Sequence, residues 1–216
     1  MKARLPILVC VGFAFSLLFS CSRSPFTLIE VHSEVSTVRL YDRAQQLITQ
    51  YESLGVFLQT EEEQPSLQLE VTSPDGLNTW LFKAEKKVVD GIPYYGSANL
   101  SLGPLVPIAE GQWSLRVLKD DGRTLSDSFM VEKGTASPRP LPEVDRESWT
   151  LAVGDGIGEY GLQLLDEKGR LLFSKTTGDR QVNLQQLYKK WENVHTLGLA
   201  WYDERAKESQ IVWYLL

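Results

Sequence analysis

The chain has 216 residues, of which 43% are hydrophobic, and its 22 basic and 28 acidic side chains give a net charge of −6. An acidic chain of this kind does not attract the phosphate backbone, so no nucleic-acid partner is predicted. Only two cysteines are present, too few for a disulfide-stapled scaffold.

The first twenty residues have the layout of a secretory signal peptide. Basic residues near the start precede an apolar run over 5–19, and no acidic residue interrupts it. The small residue Ser20 then precedes Cys21. We expect residues 1–20 to be removed, and Cys10 with them. Two basic side chains leave with this leader, so the net charge of the mature chain changes from −6 to −8.

The tetrapeptide Leu18-Phe19-Ser20-Cys21 resembles the lipobox of bacterial membrane lipoproteins, with Phe19 in place of the usual small residue. The resemblance implies that the Cys21 thiol is acylated and that residues 21–25 form a short lipidated tether. The acyl chains would then hold the protein on a membrane, facing the periplasm or the cell surface. Ser22 is not the aspartate that retains many such lipoproteins at the inner membrane, which favours the outer membrane.

Residues 26–134 are predicted to form a first β-rich unit. It begins with a short strand over Thr27–Val31. Apolar residues three and four positions apart within 37–54 then predict an amphipathic helix with Gly55 as its C-cap, although residues 38–41 also fit a strand. The acidic run over 61–65 is predicted to be a solvated loop.

From Leu67 onward, apolar and polar residues alternate, which is typical of strands with one buried face. The residues Ser73-Pro74-Asp75-Gly76 predict a turn, because proline presets φ and glycine accepts a positive φ. The clearest hairpin runs from Trp113 to Val131 and turns at 120–122.

The segment over 107–131 resembles the closing hairpin of bacterial immunoglobulin-like sandwich domains. Such domains often end with a Pro-x-Gly-aromatic-x-Leu-x-Val strand, an Asp-Gly turn and a Phe-x-Val strand. The resemblance implies an immunoglobulin-like β-sandwich over residues 26–134, with room for one helix. It implies no particular function, because that fold has many functions.

Alternating prolines at 138, 140 and 142 predict a stiff linker over 135–145. Residues 146–216 are predicted to form a small β-rich domain with one helix, which begins after Asn183. This domain contains a hairpin that turns at 166–169 and ends in two strands. The apolar residues that define the last two strands are Leu197, Leu199 and Trp201, and Ile211, Trp213 and Leu215. The fold class is therefore mainly β, a sandwich followed by a small α+β domain.

The sequence Gly156-Ile157-Gly158-Glu159-Tyr160-Gly161 matches the dinucleotide fingerprint G-x-G-x-x-G. That fingerprint binds a pyrophosphate only where a helix follows it, because the helix N-terminus faces the phosphates. Here a strand follows, so a β-turn is the better interpretation.

The candidates for metal binding and catalysis are few. His32 and His195 lie in different predicted units, and no second cysteine is left to join them in a zinc site. Carboxylates at 120–121 and at Asp155 and Glu159 lack the spacing of a calcium loop and fit turn capping better. No G-x-S-x-G nucleophile motif occurs. We predict no metal, no other cofactor and no enzymatic activity; the alternative is an envelope hydrolase acting on glycan or peptide.

The candidate binding residues are two adjacent aromatic pairs, Tyr94-Tyr95 and Trp213-Tyr214. Neighbouring residues on a strand point to opposite faces, so one member of each pair is expected to be exposed. The other tryptophans alternate with aliphatic residues and are expected in the core. The sequence therefore predicts a lipid-anchored module that binds or scaffolds a protein or glycan of the cell envelope.

Overall fold

The structure is a computed structural model that describes residues 27–60, 66–135, 141–191 and 193–216. The predicted leader, Cys21 and its tether lie outside these residues. So do the acidic loop and residues 136–140 of the proline-rich linker.

Within the described residues the chain forms fifteen strands and one helix. The strands are β1 (Leu28–Tyr41), β2 (Leu47–Thr60), β3 (Leu67–Thr72), β4 (Thr79–Lys83), β5 (Glu85–Val89), β6 (Ile92–Leu100), β7 (Gly111–Lys119), β8 (Thr124–Val131), β9 (Glu143–Asp145), β10 (Thr150–Ala152), β11 (Tyr160–Asp166), β12 (Leu171–Thr177), β13 (Gln181–Asn183), β14 (Val194–Asp203) and β15 (Glu208–Leu215). The helix, α1, spans Leu184–Lys190. The predicted mainly-β, sandwich-like fold is confirmed.

The strands form three sheets. The largest has eight strands in the order β12-β11-β14-β15-β1-β2-β6-β5, the second has the order β4-β3-β7-β8, and the third has the order β13-β10-β9. Strands β1 and β15 pair in parallel, from Ser36 with Ser209 to Tyr41 with Tyr214. The first and last strands of the described chain therefore meet in the middle of one sheet that draws on both predicted domains. The division of the chain into two domains stays a prediction.

The helix predicted within 37–54 is wrong. This segment is the hairpin of β1 and β2, whose turn is held by Asp42, because its Oδ1 accepts backbone hydrogen bonds from Ala44 and Gln46, both at 2.8 Å. The short strand predicted at Thr27–Val31 is the start of the long strand β1. The helix-like spacing arose because two strands, one on each side of a polar turn, place apolar residues on both faces of the sheet.

Several local predictions are confirmed. Trp113 pairs with Phe129 across the hairpin of β7 and β8. The Asn183 side chain caps α1 by accepting the amide of Gln186 at 3.0 Å. The glycine-rich turn before Tyr160 leads into β11 and not into a helix. The last residues of the predicted linker, Glu143–Asp145, form the edge strand β9, which pairs with β10.

Two hydrophobic cores lie against the same face of the eight-stranded sheet. The first packs this sheet on the four-stranded sheet and contains Leu54, Leu69 and Trp113. The second packs it on the three-stranded sheet and α1, around Leu199 and Val212. The core residues of the eight-stranded sheet all lie on this one face. Successive side chains of a strand alternate between faces, and cross-strand pairing aligns the alternation from strand to strand.

A polar network separates the two cores on this inner face. Thr37 Oγ1 donates to Glu208 Oε2 at 3.1 Å, and Gln210 Nε2 donates to Glu208 Oε1 at 2.6 Å. Arg39 Nη1 donates to Gln210 Oε1 at 2.5 Å. These contacts satisfy polar groups at the centre of the sheet, where Thr37 and Gln210 are buried.

Candidate binding face

The opposite side of the eight-stranded sheet is the candidate functional surface, and we call it the open face. Its residues belong to neither hydrophobic core of the described chain. The strand register identifies them, because residues paired across adjacent strands share a face. Two regions of this face differ in chemistry.

The first region, the aromatic pocket, is a shallow cavity of about 260 Å³ lined by His32, Phe57, Lys87, Val89 and Tyr94. The His32 ring meets the Tyr94 ring edge-on, with 5.5 Å between centroids. The ammonium of Lys87 lies 4.7 Å from the centroid of Phe57. The pocket thus combines two aromatic rings, one cation held against an aromatic face, and Val89, which is 55% exposed.

The aromatic pocket depends on a glycine in the neighbouring strand. Phe57 in β2 pairs with Gly96 in β6. A Cβ atom on Gly96 would lie 2.8 Å from Cδ1 of Phe57 and 1.9 Å from the Val56 carbonyl oxygen. Only glycine leaves room for the Phe57 ring at this position.

His32 also contacts a carboxylate. Its Nε2 lies 3.2 Å from Oε2 of Glu30, and both side chains are largely exposed. Such an exposed pair contributes little to stability because water screens it. Its effect is to place a hydrogen-bonding group at the rim of an otherwise apolar pocket.

The second region, the uncharged field, covers the centre of the open face. Its residues form four cross-strand rows that contain no charged side chain, although 23% of the whole chain is charged. The rows are Ser53, Ser36, Ser209 and Tyr202; Tyr51, Val38, Ile211, Ala200 and Gly161; Thr49, Leu40, Trp213, Gly198 and Gln163; and Leu215, Thr196 and Leu165.

The side chains of the uncharged field vary in size. Leu40, Ile211 and Trp213 are large, partly exposed side chains on β1 and β15. On the neighbouring strands β14 and β11, Ala200 has only a methyl group and Gly161 has no side chain. A sheet surface that lacks charge and carries a tryptophan has the composition of an interface centre, where charged residues are depleted and aromatic residues enriched.

The structure places one member of each predicted aromatic pair on the open face. Tyr94 lies in the aromatic pocket and Trp213 in the uncharged field, both partly exposed. Their neighbours Tyr95 and Tyr214 are buried, at 2% and 3% exposure, in the two hydrophobic cores. Cys21, the predicted lipidation site, lies outside the described residues.

A groove of about 470 Å³ lies beside β9 and is lined by Tyr41, Gln45, Val144 and Tyr214, among others. Tyr214 stacks on Tyr41 with 5.3 Å between centroids and donates its hydroxyl to the Pro142 carbonyl. Burial is the main cause that raises the pKa of Tyr214 above its ordinary value, and nearby Tyr41 and Glu143 add to it. The hydroxyl of Tyr214 serves the fold, and the groove is a weaker candidate than the open face.

Several carboxylates of the described chain cap turns. Asp166 Oδ1 accepts the amides of Lys168 and Arg170, both at 2.9 Å. Asp203 Oδ1 accepts the amide of Arg205 at 3.0 Å. Among the described residues, no three histidine, cysteine, aspartate or glutamate side chains come close enough to hold a metal ion.

Comparison with known proteins gives no family for this chain. No protein-family model matches it, and no curated sequence is significantly similar to it. In the part of the chain that the structure describes, no helix has the length and apolar composition needed to cross a membrane.

Sequence reasoning missed most of the aromatic pocket. Phe57 lies just beyond the segment predicted to be a helix, and His32 just beyond the short predicted strand. Reading alternation through β1 and β2 would have placed both residues on one face. Lys87 and Val89 gave no signal, because only the pairing of β5 with β6 brings them beside Tyr94.

Proposed function

We propose that this protein is a lipid-anchored, non-catalytic binding module of the bacterial envelope, and that the aromatic pocket is its binding site. The observation that carries the proposal is the meeting of Phe57, Tyr94, His32 and Lys87 in one cavity on a sheet face that no described core covers. The partner is a protein or glycan component of the envelope.

The chemistry of the aromatic pocket supports this role. The rings of Phe57 and Tyr94 offer apolar faces for a sugar ring or an aliphatic side chain. Lys87 and His32 add hydrogen-bond donors at the rim, which orient a polar partner. Among the described residues, the cavity lining contains no serine, cysteine or carboxylate side chain. The groups that line it are suited to binding.

The position of the pocket fits the predicted anchor. Leu28 lies seven positions after Cys21, a span of at most about 25 Å. His32 follows four residues later, about 13 Å along β1. A lipid on Cys21 would therefore keep the aromatic pocket close to the membrane surface and raise its effective concentration for a neighbouring envelope component.

In-cell photo-cross-linking tests this function. A benzoylphenylalanine replacing Tyr94 is expected to capture a partner on irradiation, and the same probe replacing Leu81, which is 61% exposed on the edge strand β4, is not. Adding Phe57→Ser to the Tyr94 probe should lower the yield of the adduct, because it removes half of the aromatic surface. Equal adducts from both probe positions would contradict the proposal.

A further inference from the structure

The uncharged field is unusual in a strongly acidic protein. The mature chain is expected to carry a net charge of −8, which opposes contact between identical molecules. Across five strands of the open face, from β2 to β11, the cross-strand rows carry only hydroxyl, amide, aliphatic, aromatic or glycine residues. The nearest acid on β1, Glu34, lies at the border and accepts a hydrogen bond from the Ser209 hydroxyl.

We propose that the uncharged field is the interface between two copies of this chain. A symmetric pair brings identical patches together, so every charge on the patch would meet its own like charge near the axis. A patch without charges avoids that repulsion. The field is thus a surface on which two acidic copies can approach, and its apolar centre supplies the gain from burial.

The shape of the uncharged field is also complementary to the same surface on a second copy of the chain. The larger side chains Leu40 and Ile211 form a ridge on β1 and β15, and the ring of Trp213 extends from it over Gly198 on β14. Ala200 and Gly161, paired with each other on β14 and β11, form a shallow depression beside the ridge. A two-fold axis between ridge and depression lets the ridge of each copy pack into the depression of the other. The two sheets would then lie about 10 Å apart, the usual distance for facing sheets.

This pairing goes beyond the proposed function and leaves its binding site free. On β1, His32 lies four residues before Ser36 at the edge of the field, about 13 Å, and eight residues before Leu40 at its centre, about 26 Å. Two copies anchored in one membrane would pair with their β1 strands running in the same sense, so that both tethers reach the bilayer. The dimer would present two aromatic pockets near that surface.

Thiol cross-linking tests the pairing. In the lipidated chain Cys21 is acylated and Cys10 has left with the leader, so an introduced cysteine is the single free thiol. The lipidated variants Ile211→Cys and Leu81→Cys are treated with a short bis-maleimide in native membranes. We expect at least tenfold more covalent dimer from Ile211→Cys, whose site lies in the field, than from Leu81→Cys, whose site lies outside it.

A second variant separates the interface from folding. Ala200→Arg in the Ile211→Cys background should remove most of the cross-linked dimer, while the thermal unfolding midpoint, followed by circular dichroism, changes little at this partly exposed site. Tyr94→Ser in the same background should leave the dimer intact, which distinguishes this interface from the aromatic pocket. Equal dimer yields from Ile211→Cys and Leu81→Cys would overturn the proposal.

Discussion

The six-membered ring of Trp213 lies directly over Gly198, its cross-strand partner on β14. A Cβ atom on Gly198 would lie 2.1 Å from Cζ3 of the indole, far inside contact distance. The missing side chain of Gly198 therefore lets the tryptophan lie across the sheet. Phe57 and Gly96 repeat this arrangement at the aromatic pocket, so both regions of the open face use a glycine to position an aromatic ring.

Gly198→Ala is expected to destabilise the protein by about 1–3 kcal/mol, because the new methyl group forces the Trp213 ring away from β14. Urea denaturation followed by tryptophan fluorescence measures the loss. Gly161→Ala is the matched control, since a Cβ there meets only the Ala200 carbonyl oxygen at 3.7 Å. Similar unfolding free energies for the two variants would contradict the role given to Gly198.

Tyr214→Phe should flatten the alkaline part of the stability profile. The folded state raises the pKa of Tyr214 above 10.0, so the phenol ionises more readily in the unfolded chain. The stability that this group contributes is present below pH 10 and is lost as the pH rises through the folded pKa. Urea midpoints between pH 8 and 11 measure the slope, with Tyr202→Phe at an exposed tyrosine as the control. An unchanged slope in Tyr214→Phe would count against this assignment.

Gln45→Leu is expected to cost about 1–3 kcal/mol of stability. The side-chain amide of Gln45, in the turn between β1 and β2, donates to the Val144 carbonyl at 2.5 Å and accepts the Val144 amide at 3.4 Å. These two bonds satisfy the backbone of Val144 on the side of β9 that faces away from β10. Val144 is buried, so without Gln45 its amide and carbonyl would lose these partners. Gln46→Leu, at the exposed neighbouring position, is the control for chemical denaturation. Equal losses from both substitutions would show that this bridge is not stabilising.

Cys21→Ser is expected to abolish membrane anchoring. Without the thiol no acyl chain is attached. A protein that has lost its acyl chains does not stay bound to a bilayer. Incorporation of labelled palmitate and fractionation of membranes measure both effects. Ser20→Ala, which keeps a small residue before the cysteine, should retain both the label and the membrane location. Labelled, membrane-bound Cys21→Ser protein would refute lipidation at this residue.

Much of the strand pattern could be predicted from the sequence, because alternation needs only one buried face. It succeeded for Trp113, Leu115 and Val117, whose three side chains are all buried on β7. It failed for β15, where Ile211 and Trp213 lie on the open face and Val212 is buried. The last strand has apolar residues at successive positions, so alternation alone does not distinguish its inner side.

The arrangement of the sheets could not be predicted in this way. The parallel pairing of β1 with β15 joins residues more than 170 positions apart, and no local pattern encodes such a contact. The aromatic pocket has the same difficulty, because its residues come from four strands. Sequence spacing placed Tyr94 on a strand face, but the position of His32 beside it follows from the strand order β1-β2-β6.

The native size of the protein in gently solubilised membranes tests the central claim most directly. Wild type and Leu81→Ser are expected to elute with a partner, at a mass above that of the chain or its dimer. Tyr94→Ser, which removes a ring from the aromatic pocket, should elute without the partner although it remains membrane-bound and folded. If all three proteins elute at the same size, the aromatic pocket is not the binding site and the proposed function is contradicted.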